Sequence, residues 1–158
     1  MSVGDQTQYD ASANASLKES KELPYSVLMS VYAKESPEYL VEALHSMLAQ
    51  TVPPEQIVLV EDGPLTHELD NAINVFHEQH AGLLDLVVLP KNEGLGSALA
   101  HGVPECRNEI IARMDSDDYS FSTRMEKELA VMSDHNLDMV GSQIVEFIKD
   151  SRPSCCRI

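Results

Sequence analysis

Short, mostly apolar runs alternating with helical patterns constrain the fold of this chain more than any other feature. The runs are Tyr25 to Val31, broken only by Ser26 and Ser30, Ile57 to Val60, Leu86 to Leu89 and Ile110 to Met114, with the more mixed segment Met139 to Ile144 expected as a fifth strand. They do not alternate apolar with polar residues as half-exposed strands do, so each reads as a strand covered on both faces. Between them, Leu40, Leu44, Met47 and Leu48 form one helical stripe, and Leu69, Ala72, Ile73 and Phe76 form another. Ser36-Pro37 supplies an N-cap followed by proline at the first helical position, and Pro53-Pro54 ends that helix. Thr66 predicts the start of the second helix and Gly82 its stop. Asn92-Glu93-Gly94-Leu95-Gly96 leads into a small-residue helix reaching about His101, and Thr123-Arg124-Met125-Glu126 predicts a capping box on a fourth. The alternation predicts an α/β domain: a mostly parallel, Rossmann-like sheet with helices on both faces.

One domain suits 158 residues. The expected organisation is a disordered leader over residues 1–23, a ligand-binding domain over 24–150 and a tail over 151–158. The leader is polar and lacks the apolar core of a signal peptide. The formal net charge is -15, with 26 acids against 11 bases. That balance excludes a general nucleic-acid surface and a basic patch for anionic membranes. No apolar run approaches the ~20 residues of a membrane span. Cys106, Cys155 and Cys156 form neither a zinc spacing nor a disulfide framework, so the expected compartment is the reducing cytoplasm.

Ligands on such sheets bind beyond the carboxyl ends of the strands. Polar residues gather there: Tyr32 and Glu35 after the first strand, Asp62 after the second, Lys91 and Asn92 after the third. The fourth runs into Arg113-Met114-Asp115-Ser116-Asp117-Asp118. Clustered aspartates are hard oxygen ligands suited to Mg²⁺ or Mn²⁺, and such a cation commonly carries a phosphate. The alternative is turn chemistry, in which Asp caps helices and turns. Asp62 reads either as a partner for a base N–H or ribose hydroxyl, or as part of an Asp-Gly turn. The Gly94 and Gly96 pair matches neither common phosphate-loop pattern and fits close backbone approach at a helix start. His77 and His80, three apart on one helix, read as surface residues without a carboxylate partner.

Five segments resemble glycosyltransferase family 2, with the A-type glycosyltransferase fold. They are Ser-Val-Leu-Met-Ser-Val-Tyr-Ala-Lys-Glu (26–35), Ala-Leu-His-Ser-Met-Leu-Ala-Gln-Thr (43–51), Ile-Val-Leu-Val-Glu-Asp-Gly-Pro-Leu-Thr (57–66), Lys-Asn-Glu-Gly-Leu-Gly-Ser-Ala-Leu (91–99) and Ala-Arg-Met-Asp-Ser-Asp-Asp (112–118). Within the family the likeness is to bacterial exopolysaccharide and lipopolysaccharide enzymes of the amylovoran-synthesis type. The resemblance implies an inverting, metal-dependent transfer of a sugar from a nucleotide diphosphate, UDP by preference. The acceptor would be a saccharide or a lipid-linked carrier used for cell-surface polysaccharide. By position, Asp62 would meet the base with Tyr32 and Glu35 nearby, and Lys91, Asn92 and Gly94 would line the nucleoside pocket. Asp115 would lie by the ribose with Arg113 beside it, and Asp117 and Asp118 would hold Mn²⁺ or Mg²⁺.

Glu61 and Pro64 stand where the family usually has Asp and Ser. The family's catalytic base belongs to an acceptor half after the fifth strand. The expectation is therefore a donor-binding part that binds nucleotide with metal but transfers sugar poorly. Peripheral association with the inner membrane face is expected of a longer enzyme only. The alternatives are a sugar-nucleotide pyrophosphorylase, which would want a Gly-rich basic loop where Tyr32-Ala33-Lys34-Glu35-Ser36-Pro37 stands, and a non-catalytic nucleotide-binding module. A receiver-like module would want an acidic pair after the first strand, where Ser30-Val31-Tyr32 stands.

Overall fold

A computed structural model describes residues 23–146. Most of the expected leader and tail, with Cys155 and Cys156, lie outside the described residues. In chain order the elements are β1 (Tyr25–Val31), α1 (Pro37–Leu48), β2 (Gln56–Glu61), α2 (His67–Gln79), β3 (Leu84–Val88), α3 (Leu95–Gly102), β4 (Ile110–Arg113) and α4 (Arg124–His135). A 3₁₀ turn, Val103–Glu105, joins α3 to the loop before β4. The sheet is wholly parallel with strand order β3-β2-β1-β4. Met29 lies beside Leu59, and Leu59 beside Leu86, while Val27 lies beside Ala112. The strand order therefore reverses at β1, where the chain, having moved outward to β3, returns to the other side.

Parallel strands require crossovers, and the helices that make them bury the sheet on both faces. On one face Val27, Met29, Ile57 and Leu59 pack with Leu40, Leu44 and Met47 of α1, Leu69, Ile73 and Phe76 of α2, and Met125 and Leu129 of α4. On the other, Leu28, Val58, Val60 and Leu89 pack with Ala98 of α3. Each fully buried aliphatic side chain contributes roughly 1.5–3 kcal/mol against leaving it in water. The small residues of α3 let it lie close to the sheet: a Cβ on Gly102 would fall 2.4 Å from Leu28 Cδ1 and 2.7 Å from Val60 Cγ2. Leu23, read in sequence as the end of the leader, packs against the first cluster.

The caps of the first two helices form as their residues predict. Ser36 Oγ accepts from the Tyr39 amide at 3.3 Å ahead of Pro37, and Thr66 Oγ1 accepts from the Leu69 amide at 3.3 Å. Gly82 lies just past α2, which ends at Gln79 with His80 as its C-cap. Two expectations are corrected. The Thr123–Glu126 capping box does not form: Thr123 makes no side-chain cap, and Glu126 instead accepts from Thr51 Oγ1 at 2.8 Å. The expected fifth strand over 139–144 has no regular structure, and Met139 and Ile144 are exposed. A strand needs a ladder, and among the described residues β4 pairs only with β1. His80 packs on Phe76 with ring centroids 4.5 Å apart, and His45 meets both rings edge-on.

The amino-terminal edge of the sheet is closed by a buried amide. Gln56 Oε1 accepts from Ser26 Oγ at 2.6 Å and from the Arg107 amide at 2.7 Å, while Nε2 donates to Asp85 Oδ2 and to the Glu105 carbonyl. Ser26 Oγ also accepts from the Asn108 amide. Every polar atom of this network has a partner, which is what makes its burial tolerable. The carboxyl edge, opposite, is where polar side chains are left facing outward.

Candidate functional site

Strand ends, not one motif, assemble the site. Past β1 the chain turns through Tyr32–Glu35, the Glu35 amide donating to the Tyr32 carbonyl at 3.0 Å. Past β2, the Asp62 amide still donates to the Val31 carbonyl at 2.8 Å, so Asp62 leaves the sheet in register with β1. Tyr32, Ala33, Lys34, Asp62, Gly63, Pro64 and Asn92 line a cleft of about 300 Å³. Ligand sites of α/β sheets commonly occupy such a position.

Asp62 is the anchor of this edge. It is only 5% exposed. Its Oδ1 accepts from the Glu93 amide at 2.7 Å and its Oδ2 from the Gly94 amide at 2.9 Å. Asn92 Nδ2 donates to the Asp62 carbonyl at 3.2 Å. The carboxylate thus holds the loop that opens α3 against the end of β2, and each oxygen keeps a further lone pair for a ligand donor. Gly63, at φ +87°, allows the loops to meet: a Cβ there would lie 2.5 Å from the Asn92 amide nitrogen.

Lys91, assigned by sequence to the pocket, does not line the cleft. Its Nζ lies 3.6 Å from Glu93, which also accepts from Ser97 Oγ at 2.8 Å and lies 3.4 Å from His101 Nε2. The Ser97 hydrogen bond, with His101 and Lys91, holds the Glu93 carboxyl below its usual range. Lys34, which the sequence reading passed over, supplies the lysine of the cleft wall. Its signal was position, immediately after the first strand.

The acid cluster stands on the other side of β1. The Met114 amide donates to the Leu28 carbonyl at 3.0 Å, which carries the β4 ladder one residue beyond the strand. Asp115 pairs with the Arg113 guanidinium, and the Asp118 amide closes a turn on the Asp115 carbonyl at 3.3 Å. Ser116, buried within the turn, donates to Glu35 Oε2 at 3.2 Å, and Glu35 Oε1 accepts from the Ser36 amide at 3.0 Å. Glu35 therefore ties the end of β1 to the acid turn, across the point where the strand order reverses. Asp117 and Asp118 are exposed. Partial burial, then the neighbouring carboxylates of Asp115 and Asp117, raise the Asp118 carboxyl above its usual range, with Arg113 and Arg124 pulling it down.

Crowded carboxylates of this kind suit a hard divalent cation. Among the described residues no group of three or more His, Cys, Asp or Glu is disposed to hold a metal ion. A cation at this turn would take no more than two carboxylates from the described residues, with its other positions left to water and phosphate oxygens. The structure brings Tyr32, Asp62 and Asn92 into one cleft wall, with Gly94 held to Asp62. Arg113, Asp115, Asp117 and Asp118 form a second group, and Glu35 joins the two.

Known proteins resemble this chain in sequence and in fold. The chain is 40% identical over 126 residues to the amylovoran biosynthesis glycosyltransferase AmsE of Erwinia amylovora, covering 78% of this chain and 46% of the relative. It is 36% identical over 124 residues to a UDP-Gal:alpha-D-GlcNAc-diphosphoundecaprenol beta-1,3-galactosyltransferase of Escherichia coli, covering 78% of this chain and 44% of the relative. The chain thus spans about half the length of these relatives. Among solved structures, S. aureus TarS residues 1–349 in complex with UDP superposes with a TM-score of 0.61 at 21% identity, over 77% of this chain and 38% of that one. The mannosyltransferase PcManGT from Pyrobaculum calidifontis, in complex with GDP-Man and Mn²⁺, superposes with a TM-score of 0.54 at 23% identity, over 60% of this chain and 28% of that one. These two likenesses establish the fold. Among the described residues no helix is long and apolar enough to cross a membrane. The model of the family described as glycosyl transferase family 2 matches residues 26–154, which takes in all four strands of the described sheet except Tyr25 of β1, and the chain belongs to that family.

Proposed function

We propose that this chain binds a nucleotide-diphosphate sugar, with UDP the preferred nucleotide, for inverting transfer to a saccharide or lipid-linked acceptor in cell-surface polysaccharide synthesis. The observation that carries the reading is the placement of two chemically different half-sites about the end of β1. One is a cleft walled by Tyr32, Lys34, Asp62 and Asn92, suited to a nucleoside. The other is the acid turn of Asp115, Asp117 and Asp118, whose carboxylates suit the cation that a diphosphate would bring.

In this reading the base enters the cleft between Tyr32 and Asp62, whose remaining lone pairs accept from a ring N–H. Asp115, with Arg113 beside it, meets the ribose. Asp117 and Asp118 hold Mn²⁺ or Mg²⁺, which supplies charge neutralisation to the leaving diphosphate when bound. The acceptor hydroxyl forms the new bond to the anomeric carbon as the bond to the diphosphate oxygen breaks on the opposite face. The hydroxyl proton passes to a general base, which is not assigned to any residue of the described site. Two features support the choice of nucleotide and cation: a relative in the family named for a UDP-Gal donor, and an Mn²⁺ complex on a related fold.

Calorimetry with UDP, GDP and dTDP, each with and without Mn²⁺, tests the proposal. Tightest binding is expected for UDP with Mn²⁺. Absence of binding by all three nucleotides would count against it.

A further inference from the structure

The end of α1 reaches behind the acid turn and holds it through a single buried amide. Gln50, 5% exposed, follows the C-cap of α1. Its Nε2, with two hydrogens to donate, lies among three acceptors: the Ser120 hydroxyl at 3.1 Å, the Phe121 carbonyl at 2.9 Å and the Ser46 carbonyl at 2.9 Å. Its Oε1 accepts from the Met125 amide at 3.1 Å, which satisfies a backbone donor in the first turn of α4. Ser46 adds to the grip: its hydroxyl accepts from the Ser120 amide at 3.0 Å and donates to the Ala43 carbonyl at 2.7 Å. The Thr51 amide donates to the Ser122 carbonyl at 2.7 Å.

Ser120 stands two residues beyond Asp118. The acid turn is thus a short span held by the β4 ladder before it, by Glu35 through Ser116 within it, and by Ser46 and Gln50 after it. Asp115, Asp117 and Asp118 repel one another, and a free turn would relax by moving them apart. A carboxamide offers neutral donors and an acceptor together at this reach.

We propose that Gln50 is a positioning residue that keeps Asp117 and Asp118 close enough to share one divalent cation. This rests on the assignment of those two carboxylates to the cation. Gln50 makes its hydrogen bonds to Ser46, Ser120, Phe121 and Met125 and acts through the segment 120–125.

The test measures free Mn²⁺ by electron paramagnetic resonance during titration of the 158-residue chain at saturating UDP, alongside UDP binding in EDTA. Gln50→Glu keeps the acceptor and loses the donors, and Gln50→Met loses both. Each is expected to weaken Mn²⁺ binding by about tenfold or more, in the range seen for outer-shell partners of metal ligands, with UDP binding in EDTA changed by less than about twofold. Ser120→Ala, a milder change that spares the fold, is expected to weaken Mn²⁺ by about threefold. Gln56→Leu, at the opposite edge of the sheet, lowers stability without moving either constant, which separates positioning from general destabilisation. Wild-type affinity for Mn²⁺ in both Gln50→Glu and Ser120→Ala overturns the proposal while leaving the nucleotide assignment intact. A wild-type chain that binds UDP equally with and without Mn²⁺ overturns the cation assignment and this inference together.

Discussion

Asp62 Oδ2 accepts a hydrogen bond from the Gly94 amide at 2.9 Å, joining the end of β2 to the start of α3 across 32 residues of chain. With the companion bond from Glu93 to Oδ1, one buried carboxylate holds the floor of the cleft. Asp62→Asn keeps the shape but turns an N–H donor toward one of the two amides. Hydrogen bonds to charged groups contribute about 1.5–3 kcal/mol, so the variant is expected to lose about 2 kcal/mol in urea denaturation and to bind UDP more weakly. Wild-type stability would show that the carboxylate does not hold this loop.

Gly63→Ala and Gly82→Ala form a matched pair. Both glycines have φ near +85°, but a Cβ at Gly63 meets the Asn92 backbone at 2.5 Å, while one at Gly82 meets nothing within 4 Å. Gly82→Ala is expected to cost about 1–2 kcal/mol from the left-handed backbone alone. Gly63→Ala is expected to cost clearly more and to weaken nucleotide binding. Equal losses would mean that the two loops can separate without strain.

Asp118 gives a pH signature. Its native carboxyl is raised, so the native state holds that proton more tightly than the unfolded chain does. The charged group therefore opposes folding at neutral pH, and the opposition fades as pH falls through the raised value. Asp118→Asn is expected to melt no lower than wild type at pH 7, with any advantage lost near about pH 3, below the ordinary Asp value. The group is exposed, so the stability change is small. If Asp118 holds the cation as proposed, the accompanying loss of Mn²⁺ affinity is expected to be the larger effect. Thermal melts across this range check the sign, and a variant that melts lower than wild type at pH 7 would contradict it.

Gln56→Leu leaves Ser26, Arg107 and Asp85 without their shared partner at the buried edge. A loss of about 3 kcal/mol is expected in denaturant unfolding, with nucleotide affinity of the folded chain unchanged. A change in affinity would show that the two edges of the sheet are coupled.

Much of this architecture is readable from local pattern. β1, β2 and β4 are built on the mostly apolar runs, and Ser36 and Thr66 cap their helices through bonds that span three residues. β3 was expected to be covered on both faces, yet Leu86 and Val88 are exposed because β3 is an edge strand, and periodicity does not report which strand lies at an edge. The Thr123–Glu126 box failed because stronger partners arrive from 75 residues away: Thr51 takes Glu126, and Gln50 takes the Met125 amide. Gln50 and Gln56 are the residues the sequence hid best. A buried amide looks like any polar residue until the groups it satisfies are brought to it. For the site, the convergence of strand ends was legible, but Lys34 in the cleft and the Glu35–Ser116 link depend on how the loops turn.

The central claim is that the acid turn holds a cation that strengthens nucleotide binding. Titration of UDP into wild type and Asp117→Ala, each in Mn²⁺ and in EDTA, measures it most directly. Wild type is expected to bind at least about tenfold more tightly with Mn²⁺, a coupling of about 1.4 kcal/mol, and Asp117→Ala to bind equally weakly in both. An undiminished Mn²⁺ effect in Asp117→Ala would contradict the account.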